Sequence, residues 1–163
     1  MKKPLLISVI MVAMLAAVGA AHAGDLKVGA AHAGDLKFQA ELSGAQEVPP
    51  VATDGVGEAK FESDGRSVQF ELKWNDLTTS AFAAHIHCGV TGKNGPVGVT
   101  LFSGAGGTEG EVTGSFTAPD AGNGCGWDDL ADVLGAMATG AAYVNLHTTQ
   151  HPGGEIRGQV AAG

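Results

Sequence analysis

From about residue 37 onward the chain is cut into short pieces. Runs of six to nine residues, in which apolar and polar side chains tend to alternate, are separated by breaker clusters such as Pro49-Pro50, Ser63-Asp64-Gly65 and Gly92-Lys93-Asn94-Gly95-Pro96. A period of two marks a strand with one buried face, and the breakers mark turns. The pattern predicts strands at Lys37–Leu42, Gly55–Glu62, Ser67–Trp74, Ala81–Cys88, Val97–Phe102, Glu109–Thr117, Ala142–His147 and Glu155–Val160. With 26 glycines and only 6 prolines, the composition suits tight turns between strands better than disorder. About eight short strands at this spacing predict an all-β sandwich or barrel. One segment departs from the rule: Asp128–Met137 repeats Leu130, Val133, Leu134 and Met137 at helical spacing, opens on two acids and closes at Gly140, so it predicts one short helix.

The start of the chain reads as a leader. Lys2 and Lys3 precede an uncharged apolar run from Leu5 to about Val18, and Ala21-His22-Ala23 supplies the small residues a signal peptidase needs. The predicted signal peptide is 1–23. The decapeptide VGAAHAGDLK at 18–27 recurs at 28–37, which offers an alternative cut after Ala33 and leaves 24–37 as an N-terminal segment with no expected role in the fold. Either cut leaves one domain of about 130–140 residues, long enough for a real core. No later run is apolar enough to span a bilayer.

Charge and thiols narrow the function. Loss of Lys2 and Lys3 takes the formal charge from −8 to −10, and the remaining basic residues are scattered. Nucleic acid is therefore excluded as a partner, while a cation is easily accommodated. Cys88 and Cys125 are the only cysteines. In an oxidising compartment they predict a disulfide, the rival being a Cys88 thiolate that joins a metal site.

The sharpest feature is AFAAHIHCGV at 81–90. On a strand, His85 and His87 project from one face with Ala83, while Phe82, Ala84, Ile86 and Cys88 take the other. In the same way Tyr143, Asn145 and His147 oppose Val144 and Leu146, and Glu155, Arg157 and Gln159 oppose Ile156 and Val160. If these strands are neighbours, their polar residues form one patch. Three imidazoles there suit copper(II) or zinc, with His151 as a reserve ligand and Asn145, Glu155 and Arg157 around them. Such a site should lose metal as pH falls through roughly 6.5. In the plain structural alternative the histidines hydrogen-bond backbone or Glu155 and tie the sheet together, and Glu155 and Arg157 pair as a salt bridge. Glu47-Val48-Pro49-Pro50 reads as a rigid turn, and Trp74 and Trp127 as packing residues. Thr148 and Thr149 lie near the patch, but no nucleophile–base pattern accompanies them.

LSGAQEVPPV at 42–51, AHIHCGVTGKNGPVGVTL at 84–101 and YVNLHTTQHPGGEIRGQV at 143–160 together resemble the CHRD domain, the module named after chordin and common in exported bacterial proteins. The resemblance runs from about Phe38 to Val160, and it assigns 38–163 to that domain. It implies a Greek-key or immunoglobulin-like β-sandwich in an extracytoplasmic, periplasmic or secreted protein, and little about activity. A looser similarity links the His-x-His strand, the distant His147 and the Gly153-Gly154 turn to the copper ligands of copper-zinc superoxide dismutases. The further His and Asp ligands of the dismutase zinc loop are missing after His87.

The expectation that results is an exported binding protein, without catalytic residues, that holds copper first or zinc through His85, His87 and His147. The alternatives are a module that binds an extracytoplasmic protein or matrix partner without metal, and a dismutase-like copper enzyme. Monomer or weak oligomer is expected, with no membrane contact once the leader is removed.

Overall fold

The structure, a computed structural model, describes residues 35–163; the expected leader and most of the duplicated segment lie outside them. Nine strands follow in chain order: β1 Leu36–Ser43, β2 Val56–Ser63, β3 Val68–Asn75, β4 Ala81–Cys88, β5 Val97–Ser103, β6 Gly110–Phe116, β7 Ala142–Thr148, β8 Ile156–Gln159 and β9 Ala161–Ala162. One helix, α1 Leu130–Ala138, lies between β6 and β7. The expected all-β architecture with one short helix is therefore present. The end of the second decapeptide does enter the fold, since β1 begins at Leu36.

All the strands join one antiparallel sheet in the order β5-β4-β7-β8-β1-β2-β3-β6, with β9 on β1 beyond the end of β8. The edge strands β5 and β6 are consecutive in the chain, so the sheet curls until it is nearly closed. Across the interior, Trp74 of β3 and Phe102 of β5 meet at 5.8 Å between ring centroids. The core they help to enclose is built from the predicted apolar positions, including Phe61, Leu72, Ile86, Val144, Leu146 and Ile156, each at most 1% exposed.

Helix α1 covers part of this core because its apolar spacing is helical. Leu130, Val133 and Met137 are buried, and the Asp129 carboxylate caps the first turn by accepting from the amides of Ala131 at 2.8 Å and Asp132 at 3.2 Å. Gly140, at φ +69°, lets the chain leave the helix in the left-handed conformation that glycine tolerates. The disulfide Cys88–Cys125 then ties the segment before the helix to the end of β4. The two tryptophans pack as expected: Trp74 is buried, and Trp127 covers Gly98, where any Cβ would collide with its ring.

Candidate metal centre

The sheet order makes β4, β7 and β8 neighbours, as the patch requires. In register, His85 pairs with Asn145 and Asn145 with Arg157, while His87 pairs with Tyr143 and Tyr143 with Gln159. His147 pairs with Ala83, a side chain small enough to leave room beside the two histidines. The three rings meet at centroid distances of 5.6 Å for His85–His87, 5.0 Å for His85–His147 and 5.8 Å for His87–His147. One nitrogen from each lies within 4.8 Å of the others.

Backbone carbonyls orient two of the rings. His87 Nδ1 lies 2.9 Å from the Gly95 carbonyl, and His147 Nδ1 lies 3.1 Å from that of Pro152. A carbonyl only accepts, so both Nδ1 atoms carry the proton and both Nε2 atoms keep a lone pair. Those Nε2 atoms are buried and have no protein partner, and so is Nδ1 of His85. Two buried acceptor nitrogens and an unpartnered His85 Nδ1 are costly in an apoprotein unless a ligand satisfies them.

The site is also held neutral. Burial lowers the pKa of all three histidines, with Asp120 partly opposing it at His85 and the Gly95 carbonyl partly opposing it at His87. His147 falls furthest, to about 4, through burial and then the neighbouring His85. Neutral imidazole is the form that ligates a metal.

Four expectations need correction. Phe82 does not share the core face with Ile86. A β-bulge places Phe82 and Ala83 opposite the single residue His147, and Phe82 stands as an outer wall with its ring 6.2 Å from the His147 ring. Glu155 is not beside the histidines. It precedes β8, follows Gly154 at φ +126°, and turns to accept from Thr53 Oγ1 at 2.7 Å, Thr78 N at 2.7 Å, Thr78 Oγ1 at 2.8 Å and Thr148 Oγ1 at 2.6 Å. Burial alone would raise its pKa, but these bonds bring it below the ordinary value.

Arg157, the third case, makes no salt bridge with Glu155. Its guanidinium donates to Asn94 Oδ1 at 3.1 Å and to the carbonyls of Val90 at 3.3 Å and Lys93 at 2.9 Å. The ion pairs among the described residues are lysine–glutamate contacts elsewhere in the sheet. The fourth is His151, which the structure leaves outside the cluster. It serves the 148–154 turn instead, where its carbonyl accepts from Gly154 N at 3.0 Å and its amide donates to Thr148 Oγ1 at 3.2 Å.

Two residues near the site carry no ligand-like sequence signal. Tyr143 stacks on His87 at 4.9 Å and an interplanar angle of 12°. Glu47, read as part of a turn, is 5% exposed, and burial lifts its pKa to about 7 against the pull of Arg157. Its Oε1 and Asn145 Oδ1 are both buried without a partner, and a Cβ on Gly154 would strike both. The only hint in the sequence was an acid placed directly before Val48-Pro49-Pro50.

The motifs that meet here span nearly the whole domain, and the comparison with known families agrees. A family model for the CHRD domain matches residues 38–160. No curated protein and no solved structure matches the chain. With most of its length covered by that family model, the chain belongs to the CHRD domain family.

Proposed function

We propose that this protein is an extracytoplasmic binding domain that holds one transition-metal ion, copper before zinc, on His85, His87 and His147. The observation that carries it is the convergence within 4.8 Å of one ligand nitrogen from each of three imidazoles, every one of which has a buried nitrogen without a partner. Nitrogen donors suit copper(II) and zinc, and for a given donor set copper(II) binds more tightly. No thiolate competes, because both cysteines are in the disulfide. That disulfide fits an oxidising compartment, and together with the expected leader it supports a periplasmic or secreted location.

Three protein ligands leave the remaining coordination positions to water or a small molecule. Among the described residues this is the sole group of three or more ligand side chains. The second, zinc-binding set of a copper-zinc dismutase has no counterpart there, so holding the ion, rather than dismutation, is the activity proposed. The test is metal analysis of protein purified without a polyhistidine tag, followed by copper(II) titration of the parent and the triple variant His85→Ala, His87→Ala, His147→Ala. One equivalent bound by the parent and none by the variant supports the proposal. Equal binding by both would end it.

A further inference from the structure

Tyr143 lies on strand β7, is 1% exposed, and shares the polar face of that strand with Asn145 and His147. Three contacts make it a hub. Its ring stacks on His87 and carries the Arg157 guanidinium 3.5 Å from the ring centroid. Its hydroxyl accepts from the Gly95 amide at 3.1 Å and lies 3.2 Å from the Gly95 carbonyl, to which it donates. That carbonyl is the group that takes the His87 Nδ1 proton at 2.9 Å.

The segment bearing Gly95 is otherwise a turn-rich loop between β4 and β5. It is fastened from below by Arg157, which holds the Val90 and Lys93 carbonyls and the Asn94 side chain, and from the side by Asn94 Nδ2, which donates to Val48 O at 2.6 Å. Gly95 itself has no freedom to carry a side chain, since a Cβ there would run into the Cys88 carbonyl. Apart from Asn94–Val48 and the bond to His87 itself, the hydrogen bonds that tie residues 90–95 to the rest of the described fold pass through Tyr143 or through the cation stacked on it.

We infer that Tyr143 is a positioning residue for the metal centre. Its hydroxyl sets the Gly95 carbonyl and its ring sets the plane of His87, so that His87 is held as the Nδ1–H tautomer with Nε2 facing His85 and His147. The consequence for metal affinity rests on the function proposed above; the tautomer itself does not, and it is measured on metal-free protein. Partners that orient a ligating histidine change metal affinity by roughly 10–100-fold when removed.

The deciding variant is Tyr143→Phe, which keeps both stacking contacts and deletes only the hydroxyl. Long-range proton–nitrogen correlation spectra of the His87 ring, recorded on the metal-free parent and variant above the histidine titration range, report the tautomer directly. The expected result is a single Nδ1–H form in the parent and a mixture with Nε2–H in the variant, with copper(II) affinity lower by about tenfold. Arg157→Lys, which loosens the same loop from its other side, should move the His87 signals in the same direction. An unchanged Nδ1–H tautomer in Tyr143→Phe overturns the inference. If the parent binds no copper and yet the variant shows the mixture, Tyr143 keeps its positioning role and the metal proposal is what fails.

Discussion

Replacing Glu47 with glutamine should remove a defined part of the pH dependence of stability. The Glu47 carboxyl is 5% exposed, its Oε1 and the nearby Asn145 Oδ1 lack partners, and burial raises its pKa from 4.5 to about 7 although Arg157 opposes the rise. Burial disfavours the charged carboxylate more than the Arg157 charge and the hydrogen bonds from Val48 and Asn145 favour it. The folded protein therefore holds this proton more tightly than the unfolded chain. A pKa raised on folding contributes stability that is fully present below the unfolded value of 4.5 and is lost as pH climbs through about 7.

A tenfold change in proton affinity is worth about 1.4 kcal/mol, so the rise from 4.5 to about 7 corresponds to about 3 kcal/mol lost across that window. Glutamine presents an N–H donor to Asn145 at every pH and has no proton to lose. The assay is urea unfolding of parent and Glu47→Gln near pH 5 and near pH 8, analysed by linear extrapolation. The difference between the two proteins cancels the histidines, whose pKa values move the opposite way on folding. Relative to the variant, the parent should lose about 2.5 kcal/mol between the lower and the higher pH. Parallel behaviour at both pH values would show that Glu47 is already ionised beside Arg157 and that burial does not govern its proton.

Other outcomes follow from the same geometry. Because burial lowers the pKa of all three imidazoles, copper(II) binding should persist below the pH near 6.5 at which a solvent-exposed histidine cluster would fail, with His147, at about 4, the last of the three to take a proton; a competitive titration with its midpoint at 6.5 would contradict this. His87→Ala or His147→Ala should each abolish tight binding in the same assay. Reduction of Cys88–Cys125, which closes a loop of sequence separation 37, should cost about 4 kcal/mol by the chain-entropy account, read as a lower urea midpoint with sheet content retained below the transition. Glu155→Ala should cost about 2–3 kcal/mol, because it strands the buried Thr148 hydroxyl and removes the acceptor that Thr53 and Thr78 share; thermal unfolding within about 1 °C of the parent would show that the cluster is not stabilising.

Most strand limits were legible because they depend on neighbours in the chain. The alternation in Phe61, Ala59 or Leu72 shows which side is buried wherever the strand stays regular, and the breakers around Gly65 and Gly92 end it. The pairing of β7 with β4, and of β3 with β6, is a long-range choice that no local period reports. His85 and His87 were legible as a pair since i and i+2 share a face of any strand. His147 was placed on the right face by the same parity. That it meets them depends on Ala83 being opposite it.

Parity fails where the strand does. The bulge at Phe82 reverses the face of one side chain, and Gly154 re-aims Glu155 before β8 begins, so counting by twos through either point carries a residue to the wrong side. The fate of Glu155 has a chemical consequence for the site. A carboxylate hydrogen-bonded to a ligating histidine would stabilise the imidazolium and let protons compete with metal over the ordinary histidine range. In its place His87 and His147 are oriented by the Gly95 and Pro152 carbonyls, which choose the tautomer without bringing a full negative charge. Glu47, beside Asn145 and Arg157, is itself largely neutral below its pKa of about 7. Carbonyl acceptors on His87 and His147, and burial that outweighs the pull of Asp120 on His85, are what keep the nitrogens available to a metal in mildly acidic surroundings. The carboxylate that parity assigned to this patch would have weakened that property had it remained there.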